Sequence, residues 1–135
     1  MQISEIMHKG LTTASLNDSI KAVAQLMRQE DIGVVPVIDN DKTVGIVTDR
    51  DIVINCVATG SSLDRPIQDA MNKDVICVQE NEDVEKASQL MKDHQVSRIV
   101  VTNESQRPVG MVSLHDLTRF HDDSEKGEIL SDIKQ

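Results

Sequence analysis

The chain contains the same stretch twice, and this duplication limits the folds open to it more than any other feature. Displaced by 64 residues, Ile3 falls on Ile67, Met7 on Met71, Lys9 on Lys73 and Asn17 on Asn81, and Gln25, Leu26 and Met27 fall on Gln89, Leu90 and Met91. One extra residue near Arg107 moves the offset to 65, so that Val44, Gly45, Val47 and Asp51 fall on Val109, Gly110, Val112 and Asp116. An insertion of that size belongs in a turn.

Both copies spell the same order of elements. In the first, a short helical lead-in (4–7) precedes a brief strand (11–14) and a helix over 19–29, whose apolar residues Ile20, Val23, Ala24 and Met27 recur at helical spacing. VVPVID (34–39) and TVGIV (43–47) flank the turn residues Asn40, Asp41 and Lys42 and predict a hairpin, with Pro36 marking a break in pairing because it has no N–H. Thr48 then opens a helix running to about residue 57. The second copy predicts a lead-in over 67–71, a strand VICV from Val75, and a helix over 83–93. Its stripe of Val84, Ala87, Ser88 and Met91 is weakened by the serine. Strands RIVVT from Arg98 and VGMV from Val109 follow, then a helix after Ser113. The expected organisation is repeat 1 over 1–58, a linker of small and turn-forming residues over 59–66, repeat 2 over 67–120 and a polar tail over 121–135. In the tail, Ile129, Leu130 and Ile133 are spaced for one short helix.

One such unit buries too little apolar surface to stand alone, so the copies are expected to pack on each other about a pseudo-two-fold axis, giving an α/β fold of two βαββα repeats. The 39% apolar content comes from aliphatic residues, with one Phe and neither Trp nor Tyr, so no aromatic platform exists for stacking exposed bases. A net charge of −9 lacks the basic footprint of nucleic-acid binding. No apolar run reaches the ~20 residues needed to cross a bilayer, and MQISEIMHKG does not read as a signal peptide, which points to a cytoplasmic protein without a membrane partner. Cys56 and Cys77 are expected as reduced core residues, and His8, His94, His115 and His121 are scattered rather than spaced for a metal, so no metal site is expected.

The chemistry concentrates in one turn of each copy. In GIVTDRD (45–51) a strand ends and a helix begins beside Thr48, exposing unpaired amides of the first turn, while the carboxylate of Asp51 suits two vicinal hydroxyls such as a ribose diol. GMVSLHD (110–116) offers Ser113 and Asp116 in the same relation, and the glycine ahead of each leaves room for close approach to the backbone. The same Thr/Ser-x-x-Asp spacing also describes a capping box, which needs no ligand. Its recurrence at one point of a duplicated unit, after the same glycine, favours the ligand reading. No Ser/His/Asp, Cys/His or phosphate-cradling motif argues for an enzyme.

The SEIM and QDAM lead-ins, IGVVPVIDNDKTVGIVTDRDI and VSRIVVTNESQRPVGMVSLHDL, taken with their order and duplication, resemble a tandem pair of cystathionine-β-synthase (CBS) domains over about residues 2–119. The resemblance implies a binding module, commonly dimeric, that holds AMP, ADP, ATP, S-adenosylmethionine or NAD in clefts between the repeats and requires no cofactor. By position it implies ribose contacts from Thr48, Asp51, Ser113 and Asp116. Arg98 falls where such proteins place a phosphate contact, whereas the first copy has Val34 there. Arg50 and His115, each just before its Asp, match positions that reach phosphate, and Thr12 and Ile76 match positions lining the adenine. The expectation is a regulatory adenosyl-ligand sensor that acts as a homodimer or through a separate effector protein. The rival is a dimerisation or interaction module with no physiological nucleotide.

Overall fold

The computed structural model describes residues 1–119; the short helix expected in the tail lies outside them. Two three-stranded sheets form, with strand orders β1-β2-β3 and β4-β5-β6, in which the middle strand pairs parallel with the first and antiparallel with the last. The first sheet comprises β1 (Ala14–Ser15), β2 (Val34–Asp39) and β3 (Lys42–Thr48); the second comprises β4 (Cys77–Gln79), β5 (Arg98–Thr102) and β6 (Pro108–Ser113). Between the first two strands of each sheet runs an eleven-residue helix, α1 (Ile20–Glu30) or α3 (Val84–His94). A short helix follows each third strand, α2 (Asp49–Ile52) or α4 (Leu114–Thr118).

The long helices start and stop where their side chains dictate. Ser19 Oγ accepts the Ala22 N–H at 3.0 Å, and Asp83 Oδ1 accepts the Glu85 N–H at 3.0 Å. Both helices end as Asp31 and Gln95 turn left-handed, each at φ 55°. The expected stripes face inward: Ile20, Val23 and Met27 are buried on α1, and Val84, Ala87, Ser88 and Met91 on α3. Ser88 does not interrupt its stripe, although its buried hydroxyl has no partner among the described residues.

The chain divides into two compact units, and the division does not follow the sequence repeat. One unit is Thr12–Val75; the other joins Met1–Leu11 to the chain from Ile76 onward. Each lead-in folds with the other copy's sheet. His8 and Met111 exchange N–H···O bonds of 2.9 and 3.1 Å, adding one rung to the outer edge of β6, and Ile46 and Asn72 exchange bonds of 3.0 and 2.8 Å on β3. The Ile3–Glu5 turn is further held by Ile3 N–H to Glu82 O and Ser4 N–H to Glu80 O, both 2.9 Å. The Ile67–Asp69 turn is held by Ile67 N–H to Asp18 O at 2.7 Å. Ile3 and Ile6 thereby enter the core of Val78, Met91, Ile99, Val101, Val112 and Leu117, and Ile67 and Ala70 enter that of Ile20, Val23, Val35, Val37 and Val47. The stretch read as a linker is tied down too, since Leu63 O and Arg65 O accept from Lys21 and Ile20 at 2.9 Å.

Local structure departs from expectation at four points. Pro36 lies inside the central strand β2 and does not interrupt pairing with β3. Its register partner Ile46 turns its own N–H and C=O outward to Asn72, so the pair exchanges no hydrogen bonds and the missing N–H faces β1. The cost appears there: in the second copy Val100 N–H bonds Ile76 O at 3.2 Å, the rung Pro36 cannot make to Thr12, and β1 has two residues where β4 has three. Both first strands start later than expected, at Ala14 rather than 11 and at Cys77 rather than 75, because pairing to β2 and β5 defines them rather than propensity. The helix after Thr48 widens beyond Ile52 to i→i+5 bonding, with Ala58 N–H to Val53 O at 2.8 Å and Ser61 N–H to Cys56 O at 3.0 Å. Finally, Cys56 is buried but Cys77 is exposed on β4, contrary to its assignment to the core.

The repeated glycines make room for the exchanged lead-ins rather than for a ligand. A Cβ on Gly45 would collide with the Met71 thioether, and one on Gly110 would lie 2.6 Å from His8 O and 2.7 Å from Met7 Sδ. A methionine end can move, but a carbonyl inside a two-bond rung cannot. Gly110→Ala is therefore expected to destabilise the protein by roughly 1–3 kcal/mol and Gly45→Ala by less, as measured by urea unfolding.

Candidate functional site

The topology gathers the candidate residues at one end of each sheet. Val34 and Thr48 are register partners across β2 and β3, and Thr12 lies just before β1 on the other side of β2. In the second sheet Arg98 and Ser113 are register partners across β5 and β6, and Ile76 lies just before β4. The Leu114 N–H bonds Ser97 O at 2.8 Å, and Asp49 N–H bonds Gly33 O at 3.0 Å. Arg98–Ser113 and Val34–Thr48 are thus non-hydrogen-bonded pairs, the closer of the two antiparallel kinds. Arg98 stands beside Ser113, and an apolar Val34 takes its place beside Thr48.

Both turns form complete capping boxes. Thr48 Oγ1 accepts the Asp51 N–H at 3.1 Å, while Asp51 Oδ2 accepts the Thr48 N–H at 2.9 Å. Ser113 Oγ accepts the Asp116 N–H at 3.2 Å, and Asp116 Oδ2 accepts the Ser113 N–H at 2.9 Å. These bonds occupy one oxygen of each carboxylate. They leave the hydroxyl hydrogens of Thr48 and Ser113 to donate, as well as the outer carboxylate oxygen.

That outer oxygen distinguishes the copies. Asp51 Oδ1 has no hydrogen-bond partner among the described residues, and Asp51 is half-buried. Asp116 is only 3% exposed, and its Oδ1 accepts from Arg119 Nη2 at 3.3 Å. Arg50 and His115, one residue ahead of the two carboxylates, are solvent-exposed on the first turn of α2 and α4.

Two neighbours escaped the sequence reading. Asp49, where the second copy has Leu114, accepts the Arg50 N–H at 2.8 Å, and a Cβ on the adjacent Gly33 would sit 2.9 Å from its Oδ2. Arg119 is the other; it falls on Ile54 at the offset of 65, and its contact with Asp116 depends on the helical turn between them.

Elsewhere the molecule offers less. A hollow of about 490 Å³ lies at the opposite end of the second sheet, lined by Gln2, Ser4, Glu80, Thr102, Asn103 and Glu104 among others, and includes none of the turn residues. Partial burial of its sulfur raises the Cys77 thiol pKa although the residue is exposed, which keeps it protonated and a poor nucleophile at neutral pH. Among the described residues no group of three His, Cys, Asp or Glu side chains is placed to hold a metal, and no helix is long and apolar enough to cross a membrane.

Because Asp116 is almost fully buried and bonds both Ser113 and Arg119, Asp116→Ala is expected to cost about 1–3 kcal/mol. Asp51→Ala loses chiefly a cap and is expected to cost about 0.5–2 kcal/mol; urea denaturation of both variants checks the order.

The CBS domain family model matches residues 3–57 and 67–123. Hypoxic response protein 1 of Mycobacterium tuberculosis is 36% identical over 117 residues, which span 85% of this chain and 81% of that protein. Among solved structures, the CBS domain pair of protein MJ0100 in complex with 5-methylthioadenosine and S-adenosyl-L-methionine is 29% identical with a TM-score of 0.75, covering 88% of this chain and 94% of that one. CBS domain protein PAE2072 from Pyrobaculum aerophilum complexed with AMP has a TM-score of 0.79 at 24% identity, covering 97% and 99%, and shares the fold. With two family matches on the duplicated segments and the two-sheet architecture to go with them, this chain belongs to the CBS-domain family as a tandem pair.

Proposed function

We propose that this CBS pair is a regulatory module, not an enzyme, which binds an adenosine-containing ligand (AMP, ADP, ATP, S-adenosylmethionine or NAD) through the Thr48–Asp51 and Ser113–Asp116 turns. The observation that carries the reading is the outer carboxylate oxygen of Asp51. A capping box consumes only Oδ2, so Oδ1 remains to accept from a ribose hydroxyl while the Thr48 hydroxyl donates. The MJ0100 pair, 29% identical and carrying two adenosyl compounds, supports the ligand class. Arg98 beside Ser113 supplies a phosphate contact, with Arg50 and His115 as further exposed candidates at the two turns, and Thr12 and Ile76 stand at the same sheet ends to line an adenine. Ligand binding biases the module between states that an effector protein or a second copy reads.

Assembly as a homodimer belongs to the same reading and is supported by Val53, Ile54 and Val57, which are 54%, 48% and 59% exposed along one helical segment. This patch, together with capping boxes that are complete without ligand, also favours the rival function of an interaction module that binds no nucleotide.

Thermal-shift and calorimetric titration with AMP, ATP, S-adenosylmethionine and NAD separates the two. At least one is expected to raise the melting temperature, with the effect reduced tenfold or more in affinity by Asp51→Ala; no shift with any of them at millimolar concentration leaves the interaction-module reading. For the dimer, Val57→Asp is expected to lower the mass seen by light scattering to that of one chain.

A further inference from the structure

The two copies present the same capping box but not the same free acceptor. Three residues after Asp51 stands Ile54, 48% exposed, whereas three residues after Asp116 stands Arg119, whose guanidinium bonds Asp116 Oδ1 at 3.3 Å. A vicinal diol needs an acceptor oxygen not already engaged, because exchanging an ion-paired hydrogen bond for a neutral one gains little. Asp116 is also 3% exposed and Asp51 is not buried, so the first turn is the more open of the two.

From this contact we infer that Arg119 occupies the diol-accepting oxygen of the second turn, making Asp51 the primary ribose acceptor and the Ser113–Asp116 turn a weaker one that opens only when Arg119 is displaced. The inference rests on the adenosyl-ligand reading and adds an order of occupancy to it. Arg119 is a positioning and specificity residue, acting through Asp116 rather than on the ligand. Its side chain is 56% exposed, so its hold on Asp116 is modest and competition by ligand remains feasible. Arg98 beside Ser113 draws phosphate toward the second turn, opposite to the preference of the bare diol. A nucleoside without phosphate therefore isolates the effect of Arg119.

The experiment is an amide NMR titration of the full chain with adenosine and, separately, AMP, read at the Thr48–Asp51 and Ser113–Asp116 amides. Adenosine is expected to perturb the first turn at a midpoint below that of the second by up to about fivefold, the upper end for a half-exposed ion pair. Arg119→Gln is expected to bring the two midpoints together. Should the buried Asp116 make that variant unstable, Arg119→Lys, which keeps the charge but loses the guanidinium fork, is expected to narrow the gap in part instead. Equal midpoints in the unaltered protein, or a gap that Arg119→Gln leaves unchanged, overturn the inference while the adenosyl reading stands. So does a loss of AMP response at the second turn of Arg119→Gln with adenosine unaffected, which makes Arg119 a phosphate contact. Failure of both compounds to perturb either turn in every variant overturns the inference, and the adenosyl reading falls with it when ATP, S-adenosylmethionine and NAD also leave both turns unperturbed.

Discussion

The structure depends on a pair of reciprocal backbone hydrogen bonds made twice: His8 with Met111 and Asn72 with Ile46. A three-stranded sheet exposes the outer edge of its last strand, and unpaired edge amides cost free energy unless water or another strand satisfies them. Each lead-in covers one such edge with a single rung and drops its apolar residues into the core beneath, Ile3 and Ile6 in one unit and Ile67 and Ala70 in the other. Because each lead-in comes from the other copy, neither unit is complete within its own repeat. A segment of about 55 residues could not close its own core, which is the size argument for duplication made concrete.

The same rung explains the glycine that precedes both capping-box turns. Gly45 and Gly110 are placed where Met71 and Met7 cross the strand, so an added Cβ meets a thioether at both and a fixed carbonyl at Gly110. The lead-in presses on β3 and β6 just upstream of Thr48 and Ser113, bracing the strand ends that open into capping boxes. Scaffold and site thus share a strand, and the box geometry follows from where that strand is forced to stop. A capping box is often treated as an alternative to a binding site. Under the proposed function it frames one, since it orients the carboxylate by a single oxygen and leaves the other to solvent or to a neighbour.

The neighbour is what breaks the symmetry. Val34 against Arg98, Asp49 against Leu114, and Ile54 against Arg119 surround two turns of nearly identical backbone with different charge. The first turn has its acceptor oxygen open and an exposed apolar patch running on along the same helical segment; the second has a cation on each side, one beside Ser113 and one bonded to Asp116. Duplication has kept the hydrogen-bonding frame and let the surrounding electrostatics diverge.

Much of this was legible in the sequence. The repeat, the helix faces of Ile20, Val23 and Met27 and of Val84, Ala87 and Met91, the two hairpins and the Thr48/Asp51 and Ser113/Asp116 pairs follow from periodicity and capping chemistry, which are local and written residue by residue. What only the tertiary structure decided is non-local. Which sheet receives each lead-in depends on a distant edge, Met111 for His8 and Ile46 for Asn72. Pro36 is tolerated in a central strand because Ile46 faces the other way. Arg119, not Asp116 itself, determines whether an acceptor oxygen is open, and that contact exists only once the helix after Ser113 has formed. Local propensity carries no information about such partners, because their energy comes from pairing and proximity that the folded chain alone creates.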